Sequence, residues 1–140
     1  MSRSKDEKER RIAAIPLFAA AGRKTMKHLV EAVEEVHIPS GTTMIHEGGF
    51  PGDFSVIVEG GATVEANGEQ VATLGPSDVV GELAFLARAP ASATVTTTAD
   101  CELLSIRHSR LEQILEGDPD FVRQLAEILA RRLLERNRAG

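Results

Sequence analysis

Residues 80–95 read Val-Gly-Glu-Leu-Ala-Phe-Leu-Ala-Arg-Ala-Pro-Ala-Ser-Ala-Thr-Val, and ligand chemistry is concentrated there. Gly81 frees the backbone to turn sharply. Residues 82–86 suffice for one helical turn, whose unpaired N–H groups would face outward beside Glu82 and could cradle an anion. A carboxylate beside an anion site repels the anion unless it serves another group on the same molecule, such as the hydroxyls of a ribose. A sugar phosphate meets both demands. The structural alternative for Glu82 is a first-turn acid held by the helix dipole and its loop. Ser92 has two roles open to it, a hydroxyl offered to ligand or a bond within its own turn.

Other chemistries find little support. His28, His37, His46 and His108 are far apart and share no His-x-His or His-x-x-x-His spacing, so no metal ligand set is assigned. That weighs against a cupin-like metal enzyme, which the strand pattern would otherwise fit. No Ser-centred nucleophile motif or phosphate-binding Lys loop occurs. Cys101 adjoins a predicted strand and reads as a small buried or half-buried residue. No catalytic residue is assigned, and the chain is read as not an enzyme.

The order Gly-Glu-Leu-Ala, a short loop, then Pro-x-Ser-Ala-Thr-Val resembles the phosphate-binding cassette of cyclic nucleotide-binding domains. Such domains occur in the bacterial catabolite-activator family, in regulatory subunits of cAMP-dependent kinase and in nucleotide-gated channels. The resemblance runs from Ile15-Pro-Leu-Phe18 to Arg132-Leu133. It takes in Gly41, Ile45, Glu47-Gly48, Val56-Ile57, Gly60, Leu74, Asp78 and Asp100-Cys-Glu-Leu-Leu104. It implies that Glu82 holds the ribose, and that Gly81, Leu83, Ala84, Ser92 and Ala93 contribute backbone or hydroxyl contacts.

One position departs from the family. The residue after the cassette proline is usually an arginine that pairs with the cyclic phosphate, and here it is Ala91. Losing one side of a desolvated ion pair costs roughly 2–5 kcal/mol. Arg88, three residues earlier, could serve as a substitute cation if the loop folds back; otherwise it is a solvated loop arginine. The resemblance therefore implies a regulatory or sensor domain whose binding of cAMP or cGMP is weakened or lost, with no other cofactor. The alternative is a protein-interaction module that keeps only the fold.

The elements that must position this stretch fit one domain of 140 residues, with 42% hydrophobic and 26% charged residues. Phe is its only aromatic, and a single cysteine cannot form an internal disulfide. No apolar run approaches the roughly 18 residues of a membrane span, and the charged N-terminus lacks a signal peptide's apolar segment. A cytoplasmic location without membrane contact is expected. Residues 1–11 carry five basic and three acidic groups, and residues 131–140 four and one. The middle keeps seven basic and seventeen acidic groups, a net of −10. That field disfavours nucleic acid and any phosphate lacking a local cation. No DNA-reading segment is expected within the chain.

Residues 1–11 read as a charged, flexible arm, either a frayed helix or disordered, with little order before Ile12, and residues 12–140 as the cyclic nucleotide-binding-type domain. Met26, Leu29, Val30 and Val33 fall on one helical face. Extended runs follow at 36–38, 42–46, 54–58, 63–66, 71–74, 93–98 and 102–107, with Asn67-Gly68 as a hairpin turn. About eight short strands between flanking helices predict a mainly β fold, a barrel or jelly roll.

Ser109 and Glu112 stand at capping-box spacing, Gly117 reads as a stop, and Asp118-Pro119 opens a last helix. Phe121, Leu125, Ile128, Leu129 and Leu133 form one face of it. Val122, Ala126, Ala130 and Leu134 form a second apolar side that could be buried within the monomer, or meet a ligand base, a protein partner or a second copy of the chain.

Overall fold

The computed structural model describes residues 5–81 and 88–139, with the backbone alone at 132, 133 and 136–139. Two compact units emerge, one of residues 34–108 and one that combines residues 1–33 with 109–140.

The first unit is all β. Its strands are β1 Glu34–Ile38, β2 Thr43–Ile45, β3 Asp53–Glu59, β4 Ala62–Ala66, β5 Glu69–Leu74, β6 Val79–Val80, β7 Thr94–Thr97 and β8 Cys101–Arg107. They form two antiparallel four-stranded sheets, ordered β1-β8-β3-β6 and β2-β7-β4-β5. Register follows from alternation, because a one-residue slip would turn every core side chain outward. Ile57 opposite Leu103 shares a face of its sheet with Cys101 and Val80, and these pack with Ala62, Leu74 and Val95 of the other sheet. Phe54 opposite Ile106 and Val56 opposite Leu104 lie on the reverse face and are also buried. Asn67 and Gly68 take φ of 54° and 82° between β4 and β5, the paired positive angles of a tight hairpin turn.

Thr97, Ser55 and Cys101 are buried groups of this unit that have partners. Thr97 accepts the Thr42 N–H at 2.8 Å and donates to the Pro39 carbonyl at 2.8 Å. Ser55 and Ser105 face each other across β3 and β8 and share a hydroxyl hydrogen bond. The Cys101 thiol is fully buried, 3.3 Å from the carbonyl oxygens of Gly61 and Ala99. Gly60, at φ +102°, lets the chain pass, since a Cβ there would lie 2.6 Å from the Asp100 carbonyl oxygen and 2.7 Å from Cys101 Sγ. On the exposed side, His37 Nδ1–H donates to Glu102 at 2.8 Å, a bond that with the nearby acidic charge raises the imidazole pKa above its ordinary value.

Four helices are present among the described residues: α1 Lys5–Ala13, α2 Arg23–Ala32, α3 His108–Glu116 and α4 Pro119–Ala139. α1 begins at Lys5, the helical one of the two forms open to this charged run. Its acids, Asp6 and Glu7, lie in the first turn and its bases, Arg10 and Arg11, in the last, the arrangement the helix dipole favours, and Ile12 is fully buried. The start of α3 corrects the capping-box expectation at Ser109. β8 stays paired with β3 to Arg107, His108 N–H donates to the Gly52 carbonyl, and the helix follows at once, so Ser109 lies inside it and is no cap.

α4 begins as its sequence indicates. Asp118 accepts the Phe121 N–H at 3.1 Å, and Thr25 of α2 donates to its other oxygen at 2.6 Å. Phe18, in the segment between α1 and α2, has its ring 6.4 Å from that of Phe121, so α4 meets the N-terminal segment through both contacts. The bond from Thr25, then that from Phe121, lowers the Asp118 pKa from its ordinary 3.8. A carboxylate depressed on folding stabilises the protein above its unfolded pKa, and this is lost as pH falls through the folded value. Asp118→Ala should therefore cost about 1 kcal/mol at neutral pH, the usual worth of such a cap. In urea titrations the gap from wild type should narrow below pH 4.

Candidate functional site

Two strands bring the ends of the cassette into place. β6 pairs with β3, Ser55 opposite Val80, and delivers Gly81 in a left-handed conformation at φ +92°. A Cβ at Gly81 would lie 2.9 Å from the Asp53 carbonyl oxygen and 3.8 Å from Ile45 Cδ1. Only glycine meets both conditions without strain. The far end enters β7, where Val95 is opposite Ile45 of β2. Ile45 thus adjoins both ends of the stretch. Glu82, Leu83 and Ala84 lie outside the described residues.

The loop after β2 holds the far end. Ala91 N–H donates to the Gly49 carbonyl at 2.7 Å, and Gly48 N–H donates to the Ala91 carbonyl at 2.8 Å. Glu47 N–H donates to Thr94 Oγ1 at 2.9 Å, while the Glu47 carboxylate accepts Asn67 N–H at 3.0 Å. Glu47 therefore ties the β4–β5 hairpin to the cassette exit. The residue motif contained Glu47-Gly48 but did not reveal this role, because its partners are 20 and 47 residues away along the chain.

The site-bearing side chains divide into three kinds. Ala91 and Ala93 are half-buried and carry no polar side-chain atoms. Ser92 is exposed, and its hydroxyl makes no bond within its turn among the described residues. Arg88 is exposed at φ 52° and is already engaged in an interaction. No group of three or more His, Cys, Asp or Glu side chains that could hold a metal is found among the described residues. What the geometry offers at the cassette exit is a small-residue edge whose backbone is paired at Ala91 and whose exposed hydroxyl is that of Ser92.

Residues 35–118 match the cyclic nucleotide-binding domain, and the chain belongs to that family. It is 34% identical over 136 residues to the Pycsar effector protein XpPycTIR of Xanthomonas perforans, covering 94% of this chain and 45% of that one. Among solved structures it resembles the regulatory domain of Toxoplasma gondii PKA with cAMP, at 28% identity and a TM-score of 0.71, covering 81% of this chain and 46% of that one. It also has the fold of the regulatory subunit of a cAMP-independent protein kinase A from Trypanosoma brucei, at 21% identity and a TM-score of 0.78, over 91% of this chain and 45% of that one. The chain spans less than half the length of each of these three proteins.

Gly81→Ala tests the backbone constraint directly. A side chain at this φ, pressed on a carbonyl that belongs to the central sheet, should cost about 1–3 kcal/mol. Chemical denaturation should show the loss, while Gly75→Ala, with open space at its Cβ and no positive φ, serves as the control.

Proposed function

We propose that this domain is a regulatory sensor of cyclic nucleotides in which affinity for cAMP or cGMP is weakened by the side chain at residue 91, and that it performs no catalysis itself. Ala91 is the observation that carries the reading. Both its backbone groups are fixed by Gly48 and Gly49, so the position is held in place, yet it presents only a methyl group. A phosphate there meets a hydroxyl from Ser92 and backbone donors, with the Glu47 carboxylate nearby and a chain whose net charge is −5. The expected ligand contacts remain those of Gly81, Glu82, Leu83, Ala84, Ser92 and Ala93, with Arg88 as the candidate substitute cation. The fold alone does not prescribe cAMP, since it is shared by a kinase regulatory subunit described as cAMP-independent.

Ala91→Arg should restore the missing charge. A Cβ built on Gly48 meets nothing within 4 Å, so the loop beside residue 91 is open. Calorimetry with cAMP and cGMP should show weak or undetectable binding by wild type and at least about tenfold tighter binding by the variant. Adding Glu82→Gln to it should undo part of the gain. Tight wild-type binding that Arg88→Ala abolishes would transfer the cation role to Arg88, and no binding by either folded protein would leave the interaction-module reading.

A specific observation favours self-association as well. Val122 and Leu134 of α4 are 40% and 57% exposed, and Ala126 and Ala130 between them are exposed too. These four repeat every fourth residue and form one apolar stripe. Sedimentation at tens of micromolar should find a dimer in equilibrium with monomer, and Val122→Glu with Leu134→Glu should return it to monomer.

A further inference from the structure

We propose that a cavity between α2 and α3 binds a small oxyanion, a phosphoryl group in chemical class, independently of the cyclic-nucleotide site. The cavity measures about 170 Å³, and Lys24, His28 and Arg110 converge on it. Its floor is Ile114 and Thr25, both buried, and Gln113 closes one side. Nucleotide-sized ligands occupy pockets of about 300 Å³ or more, so this one suits a single tetrahedral anion instead.

The charges around the cavity are arranged for an incoming anion. None of Lys24, His28 and Arg110 has a carboxylate partner among the described residues. Arg110 is held only by a long hydrogen bond of 3.4 Å to the Gln113 amide oxygen, which leaves most of its donors unused. Neither α2 nor α3 carries an acidic residue in its first turn. Asp118 borders the cavity through Gly117 and Thr25, but its carboxylate is engaged by Thr25 Oγ1 and Phe121 N–H. In a chain of net charge −5, two cationic side chains and a histidine without acidic partners among the described residues line one hollow, a local concentration of anion-binding groups. Lysine and arginine supply charge-assisted donors, and the arginine fork matches two oxygens of a phosphoryl group at once.

The test is an amide and side-chain NMR titration of the whole chain with inorganic phosphate, with chloride holding ionic strength constant. Saturable shifts should appear at Lys24, Thr25, His28, Arg110 and Gln113. Lys24→Gln and Arg110→Gln should each weaken binding by roughly tenfold, as expected for loss of a charge-assisted hydrogen bond, and the double variant should abolish it. Both side chains lie at the surface of the hollow, so unfolding curves without phosphate should be unchanged. O-phosphoserine in a second arm distinguishes a free anion from a phosphorylated partner: tighter binding than phosphate supports the partner, equal or weaker binding the free ion. Shifts that do not saturate, that persist in the double variant, or that centre on Ser92 and Ala93 would overturn the proposal. Its failure leaves the cyclic-nucleotide reading untouched, because Ala91→Arg reports on that site separately.

Discussion

Ala91 has both of its backbone groups paired with the Gly48–Gly49 turn, and the course of the chain into β7 depends on that pairing. Backbone hydrogen bonds are indifferent to the side chain they carry. The residue at 91 can therefore change its charge without changing the path of the strand, and the shape of the site is separable from its electrostatics. Glu47 extends the same framework, bonding Thr94 on one side and the Asn67 turn on the other. On the proposed reading, an uncharged side chain at such an edge would weaken binding without disturbing the core of Ile57, Val80, Val95 and Leu103, in which residue 91 takes no part.

An acidic chain binds anions where cations or backbone donors are concentrated locally. The described part of the cassette supplies a hydroxyl at Ser92 and an already engaged arginine at Arg88, whereas the α2–α3 hollow gathers Lys24, His28 and Arg110, which have no carboxylate partners among the described residues. At ordinary ionic strength fields are screened within about 8–10 Å, so each location acts on its own contents and net charge sets only the background. Phosphate chemistry in this domain is thus a question of individual side chains, which a family resemblance does not decide by itself.

Much of the fold was legible because local signals agreed with the tertiary outcome. Asn67-Gly68 made its hairpin through paired positive φ angles, and Asp118-Pro119 opened α4 with the expected cap bond. The exceptions have physical causes. β6 is only Val79–Val80 and merges with the start of the cassette motif, so no alternation could reveal it; its existence depends on pairing with β3. Ser109 had capping-box spacing, but strand pairing carried through Arg107 displaced the helix start to His108. α1 looked like a solvated charge run because its single buried anchor, Ile12, lies at its end.

The sequence by itself determined most of the strand and helix content, the family, and an alanine rather than an arginine at residue 91, because each is written in residue types at short spacing. Tertiary structure decided which distant groups became neighbours. It placed Asp53's carbonyl where only a glycine at 81 fits, brought Glu47 between Asn67 and Thr94, joined Thr25 to Asp118, and gathered Lys24 and His28 with Arg110. Those contacts join residues from 20 to 93 positions apart. No local periodicity encodes such separations, because they are settled by how whole strands and helices pack.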